Sequence, residues 1–192
     1  MLIDAAAGEF LSRGFRHGGI ESISRMTGIG KATIYRHFTD KNGLFSATVM
    51  RIIETLARPS FDFSQRTDSI ETVLFDFAQR AIGLFLRDRN LALHRMVIET
   101  SHLFPDLARA VHARSTEWSL DTLKPYLDRM AANGTIDVVD TDWAARQFLN
   151  VATHGILYLM SPAPADEATR RALAEETVAL FLGGAPAMTV QI

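Results

Sequence analysis

A chain of 192 residues with 47% hydrophobic content and a mean hydropathy of +0.06 has the material for a sizeable core, as one domain or as a small domain joined to a larger one. Having no cysteine, it excludes a disulfide framework and any thiolate metal site, and no apolar run approaches the roughly 18 residues that a membrane span needs. A net charge of -2 excludes a protein that coats nucleic acid uniformly, but the sign is uneven: residues 1–57 hold seven Lys/Arg against five Asp/Glu, and the remainder 13 against 17.

Ile3, Ala6, Ala7, Phe10 and Leu11 follow helical spacing, which predicts an amphipathic helix over residues 3–13 with one buried stripe. Gly14 stops it by taking a left-handed conformation, and Phe15 folds back on the stripe. His17, Gly18 and Gly19 read as a flexible loop. A second helix over residues 20–27 turns Ile20, Ile23 and Met26 inward, with Met26 alternatively straddling the turn, and Gly19 is its N-cap. A three-residue turn, Gly28-Ile29-Gly30, leads into a short helix that faces Ile34 and Phe38 inward and carries Lys31, Thr33, Tyr35, Arg36 and His37 outward. Thr39-Asp40 caps the next helix, which starts at Lys41 with apolar Leu44, Phe45, Val49, Ile52, Ile53 and Leu56 and runs to about Arg58. Pro59 ends it. Residues 59–67 form a connection, and the domain boundary is placed there: 1–58 and 59–192.

Everything beyond is helical in period, so the fold class is all-α. Ile70, Val73, Leu74, Phe77, Ala78, Ala81, Ile82 and Phe85 mark one helix, residues 91–101 a second and 106–130 a long third that Asn133-Gly134 terminates. Asp140 or Thr141 caps a helix over 142–160, Pro162-Ala-Pro164 interrupts, and residues 167–182 form the last helix, closed by Gly183-Gly184. Helix 142–160 has Ala144, Phe148, Val151, Ala152 and Leu159 toward one side and Ala145, Leu149, Ile156 and Leu157 toward others. With Leu173, Val178, Leu180, Phe181 and Leu182 of the last helix, the simplest cover for that surface is a second copy, a two-fold, four-helix homodimer interface; the alternative is that both are central helices of a monomer.

The residues 27–38, Thr-Gly-Ile-Gly-Lys-Ala-Thr-Ile-Tyr-Arg-His-Phe, have the layout of a DNA recognition helix: small or hydrogen-bonding side chains at its start, phosphate-reaching groups beside them and an apolar anchor behind. Residues 14–41 carry five basic against two acidic residues, so a small basic face sits on an acidic body. Residues 3–49, with Ile3-Asp-Ala-Ala, Phe10-Leu-Ser-Arg-Gly-Phe15, the run from Ser22 to Phe38 and Asp40-Lys-Asn-Gly-Leu-Phe45, resemble the DNA-binding domain of the tetracycline-repressor family of bacterial regulators. The resemblance implies an all-helical ligand-binding domain over residues 60–183 that dimerises through its last two long helices. Residues 91–99, Leu-Ala-Leu-His-Arg-Met-Val-Ile-Glu, with Phe104-Pro105-Asp106-Leu107-Ala108, resemble the AefR subgroup.

By position, the resemblance implies that Lys31, Ala32 and Thr33 read bases and that Tyr35, Arg36 and His37 meet backbone or flanking bases. It further implies that Lys41 and the pair Gly19-Ile20 hold phosphates at helix N-termini. The family has Ser or Thr where this chain has Gly19 and Gly30, so phosphate contacts there are left to backbone N–H groups. The basic arm that often precedes the first helix is missing ahead of Met1-Leu2-Ile3, which implies weaker binding or a natural start farther upstream.

An enzyme reads poorly from these residues. One Glu-x-x-His, Glu99 to His102, falls short of the paired motifs of di-iron bundles, no Gly-rich phosphate loop or nucleophile elbow occurs, and neither a cofactor nor a metal is expected. Helices 70–86, 91–101 and 106–130 are expected to enclose an effector cavity. Phe77, Arg95, Met96, Glu99, Trp118, Thr122, Tyr126, Asn150, His154 and Tyr158 fall on the inward faces, suiting a small amphipathic or aromatic effector. The reading is therefore a soluble, cytoplasmic, ligand-responsive homodimeric repressor of a palindromic operator. A helical ligand carrier or enzyme with an incidental helix-turn-helix is the alternative.

Overall fold

The computed structural model describes residues 1–55, 61–64, 66–153, 160 and 166–183. Ten helices make up the described residues: α1 Leu2–His17, α2 Ile20–Thr27, α3 Lys31–His37, α4 Lys41–Thr55, α5 Ile70–Phe85, α6 Asp88–Thr100, α7 Pro105–Thr122, α8 Lys124–Ala132, α9 Thr141–Ala152 and α10 Glu167–Gly183. No strand occurs among them, as the unbroken 3.6 period requires.

The chain divides into two compact units. The first joins Met1–Ala57 to Asp88–Ser115; the second comprises Arg58–Arg87 and Thr116–Ile192. Compactness thus divides the chain near residue 58 but adds α6 and most of α7 to the N-terminal helices. The reason lies in side chains: Leu93, Met96, Val97 and Val111 are buried in one cluster with Ala6, Phe10, Ile23, Ile34, Leu44, Phe45 and Val49. The rings of Phe10, Phe15, Phe45 and Phe104 interlock, with Phe45 lying 5.2, 4.7 and 5.0 Å from the other three.

Within this unit α1 breaks at Gly14, whose φ of +70° lies in the left-handed region, and Phe15 returns onto the core as expected. The following loop is not loose. A Cβ at Gly18 would lie 2.8 Å from the Gly14 carbonyl oxygen and 2.9 Å from the Phe10 ring, so this glycine permits a close backbone approach. Met26 is the exception to the expected inward face of α2: Ile20 and Ile23 are buried, but Met26 is exposed, because an eight-residue helix offers its core only two positions of that stripe. Gly28 caps α2 at φ +70°, and the turn is tied by the Ser24 hydroxyl, which donates to the Ile29 carbonyl at 2.7 Å. At the start of α4 the Asp40 carboxylate accepts the Gly43 N–H at 2.8 Å.

In the second unit Ser69 caps α5 by accepting from the Thr72 N–H, and Asp140 caps α9 by accepting from the Trp143 N–H. The single helix expected over 106–130 is two, α7 and α8, parted at Leu123. Pro125 has no N–H for the carbonyl one turn back, and its ring opposes a continuous helix. Gly134 at φ +76° closes the loop after α8. The helix expected to reach residue 160 ends instead at Ala152, with Thr153 as its cap; residues 154–159 and the Pro162–Pro164 interruption lie outside the described residues, as do residues 56–60. Helix α10 packs on α5 and α9 through buried Leu173, Ala174, Thr177 and Val178, leaving Leu180 exposed.

Candidate nucleic-acid interface

Helix α3 has only seven residues, too few to stand alone, so its position depends on its anchor. Ile34 is fully buried, and the partly buried Phe38 packs against the same core. That anchoring turns the other faces out: Gly30, Lys31, Ala32, Tyr35, Arg36 and His37 are exposed and Thr33 is half-buried. The side chains of Tyr35, Arg36 and His37 form no hydrogen bond or ion pair among the described residues. Lys31 has one partner, the Glu21 carboxylate at 2.9 Å, and the Lys31 ammonium holds Glu21 below the usual carboxylate range. Both side chains are more than half exposed, so the pair is easily exchanged for another anion.

Two expected phosphate contacts meet partners already in place. The Gly19 N–H donates to the Glu9 carboxylate at 3.3 Å, and Ile20 is buried, which leaves it only its backbone N–H to offer. Lys41 bends back: its ammonium donates to the Arg16 carbonyl at 3.2 Å and lies 4.8 Å from the centre of the Phe15 ring. Partial burial lowers the Lys41 pKa, against the opposing pull of Glu9.

The residues expected around an effector belong to both units, each described by itself. Phe77, Trp118 and Tyr126 join an aromatic cluster of the second unit: Phe77 stacks on Trp118 at 5.4 Å, Phe63 stacks on Tyr126 at 4.6 Å and lies 5.5 Å from Phe77, and Phe148 lies 6.0 Å from Phe77. Phe61 and Phe63 come from the connection before α5 and were not among the expected residues; the Phe61-x-Phe63 pair in an otherwise polar stretch was the available signal. The Trp118 indole Nε1 is buried and has no hydrogen-bond partner. Burial pushes the Tyr126 phenol up, with Arg129 and Arg66 opposing. Thr122 is half-buried, whereas Asn150 is exposed rather than inward. Met96 belongs to the core of the first unit, and its helix neighbours Arg95 and Glu99 are exposed there. His154 and Tyr158 lie outside the described residues. Among the described residues no group of three or more His, Asp or Glu could hold a metal ion, and no helix is long and apolar enough to cross a membrane.

A short helix anchored from behind, set after a three-residue turn and presenting the Arg36 guanidinium and Tyr35 phenol outward on an all-helical fold, defines a helix-turn-helix DNA-binding regulator. The chain belongs to the TetR family of bacterial regulatory proteins, which it matches over residues 2–48, and residues 72–184 match the family described as AefR-like transcriptional repressor, C-terminal domain. It is similar to the HTH-type transcriptional activator FasR of Mycolicibacterium smegmatis, 29% identical over 85 residues that cover 41% of this chain and 39% of the FasR length. Among solved structures it is similar to the Flavonoid-responsive Regulator FrrA, with a TM-score of 0.71 and 27% identity over 95% of this chain and 93% of the other. A protein from Mesorhizobium loti assigned to the TetR-family regulators shares the fold, with a TM-score of 0.73 and 24% identity over 95% and 93% of the two chains. It is thus a TetR-family transcriptional regulator whose family binds operator DNA.

Proposed function

We propose that this regulator is a cytoplasmic homodimeric repressor, released from a palindromic operator when a small molecule binds its larger domain. In this reading residues 1–58 bind DNA and residues 59–192 bind the effector and dimerise, through helices in the regions 142–160 and 167–182. The observation that carries the DNA-binding role is the division of α3 between a fully buried Ile34 and exposed Lys31, Tyr35, Arg36 and His37. Lys31, Ala32 and Thr33 read base edges; Tyr35, Arg36 and His37 meet phosphates or flanking bases. The backbone at Gly19, Ile20 and Gly30, together with Lys41, lies at the flanks of that footprint. Lys41 joins only after leaving the Arg16 carbonyl.

The effector role is supported by the aromatic cluster around Phe77, Trp118 and Tyr126, where one buried indole N–H lacks an acceptor. A planar or amphipathic molecule with an oxygen acceptor fits that chemistry. FrrA is named as responsive to flavonoids, which are aromatic. Such a molecule shifts the protein toward a conformer that binds DNA less well, through its differential affinity for the two states.

Tyr35→Ala tests the reading. The variant should lose gel retardation of operator DNA while sedimenting as the same oligomer as the parent; undiminished retardation overturns the assignment. Wild-type affinity should also fall by orders of magnitude between about 50 and 200 mM salt, because each neutralised phosphate releases counterions.

A further inference from the structure

Resting on the DNA-binding reading above, we infer that Glu9 is a positioning residue of the reading head: its buried carboxylate ties down the start of α2, where Gly19 supplies no side-chain cap, by accepting the Gly19 N–H and the Ser22 hydroxyl. A helix begins with N–H groups that have no partner inside it, and a Ser, Thr, Asp or Asn at the cap position normally accepts one. Helix α2 has Gly19 there and no side-chain cap of its own. Glu9 reaches the same end of α2 from α1 and takes another of its unpartnered N–H groups, that of Gly19 itself. Glu9 is 5% exposed, one oxygen accepts the Gly19 N–H at 3.3 Å and the other accepts the Ser22 hydroxyl at 3.0 Å. A carboxylate at this end also complements the helix dipole.

The anion has company. The Arg13 guanidinium lies 3.7 Å from the same oxygen that takes the Gly19 N–H, and the charge of Glu9 acts on Lys41. One side chain thereby links α1, the start of α2 and the electrostatics at the start of α4. Those are the elements that flank the recognition helix, so its aim depends on a group that never meets DNA. The α2 N–H groups left for a phosphate are those beyond Gly19.

The structure also says how the usual cap can be restored. A Cβ at Gly18 would collide with the Gly14 carbonyl and Phe10, but one at Gly19 meets nothing within 4 Å. Gly19 has φ -148° and ψ 151°, extended backbone that serine adopts freely. A serine at position 19 could therefore hold the first turn of α2 through its own hydroxyl, which would accept the Glu21 or Ser22 N–H rather than the N–H that Glu9 takes.

The test is a two-residue cycle on the full chain. Glu9→Ala should weaken operator binding about tenfold, the order expected from losing one N–H acceptor at a helix start, and Glu9→Ala combined with Gly19→Ser should recover most of the loss. Amide exchange should rise in the first turn of α2 in Glu9→Ala, remain at the parent rate in α5 and α9, and return in the double variant. Glu9→Gln, of the same shape, keeps the assay informative if the alanine variant folds poorly; it should lose part of the affinity and be rescued by the same serine. Unchanged exchange at α2, or a loss of affinity that Gly19→Ser leaves untouched, overturns the inference. Absence of DNA binding by the parent would instead strike the DNA-binding reading, while the exchange measurements would still decide the role of Glu9.

Discussion

Both units carry ion pairs, such as Arg13–Glu9 and Arg51–Glu54 in the first, but the outward side of α3 differs from the surface of the second unit. In the second, charged side chains largely satisfy one another: Lys124 sits between Asp128 at 2.8 Å and Asp142 at 3.5 Å, Arg66 between Asp68 at 2.8 Å and Asp76 at 2.6 Å, and Arg171 meets Glu175 at 3.0 Å. In the first, the exposed side of α3 keeps Arg36 and His37 without partners among the described residues, and Lys31 holds a single, exposed carboxylate. Surface pairs add little to stability, so pairing is not what folds either unit. The difference is one of use. In the DNA-binding role proposed above, an Arg36 guanidinium left unspent is available to a phosphate.

The contrast extends to the interiors, and its largest test is there. Phe45→Ala and Phe148→Ala each remove a ring at most 1% exposed, at a cost of roughly 3–5 kcal/mol. Hydrogen exchange should rise in α1, α4 and α6 for Phe45→Ala and in α5, α9 and α10 for Phe148→Ala. An effect spread equally over both units in either variant would break the division.

The turn glycines offer a smaller, sharper test. Gly28 and Gly30 both have open space for a Cβ, but Gly28 has φ +70° and Gly30 has φ -59°. Gly28→Ala should cost roughly 1–2 kcal/mol from backbone conformation alone, read as a lower melting temperature and weaker DNA retardation. Gly30→Ser should be neutral or stabilise slightly, because its hydroxyl can cap α3. Equal effects at the two positions would contradict the turn geometry.

Charge on the reading head should act with the opposite sign from a core lesion. Glu21→Gln frees Lys31 and removes a negative charge, so DNA affinity should rise about three- to tenfold at low salt and the gain should shrink as salt screens it. A fall in affinity would mean that Glu21 orients Lys31 rather than competing for it. The smallest expected effect is on pH dependence. Burial lowers the His94 pKa from the ordinary 6.5, so the folded first unit resists protonation that the unfolded chain accepts. The stability linked to the neutral imidazole is present above about pH 6.5 and declines as pH falls toward the lower folded value. His94→Gln should flatten the melting temperature between pH 7.5 and 5; an unaltered slope would assign it to other groups.

Much of this was legible in the residues themselves. The stripe of Ala6, Phe10, Ile23, Ile34, Phe45 and Val49, the glycine at position 28 and the outward Lys31 to His37 all obey local rules of period, cap and turn, which act over a few residues and are written in order along the chain. The break at Leu123 has a local signal too, in Pro125, inside a stretch whose apolar period is continuous. What spacing could not reveal was pairing between distant residues. Nothing in the stretch around Met96 tells that its side chain is buried in one cluster with Phe10, since an apolar position specifies burial but not the neighbour that provides it. Likewise Glu9 reads as an ordinary surface carboxylate of an amphipathic helix until the chain returns, ten residues later, and sets an uncapped glycine N–H against it. Local hydrogen bonding and periodicity determined the helices and their inward faces; only the folded chain decided which faces meet and which carboxylate ties down another helix's start, because those energies depend on distances that sequence order does not contain.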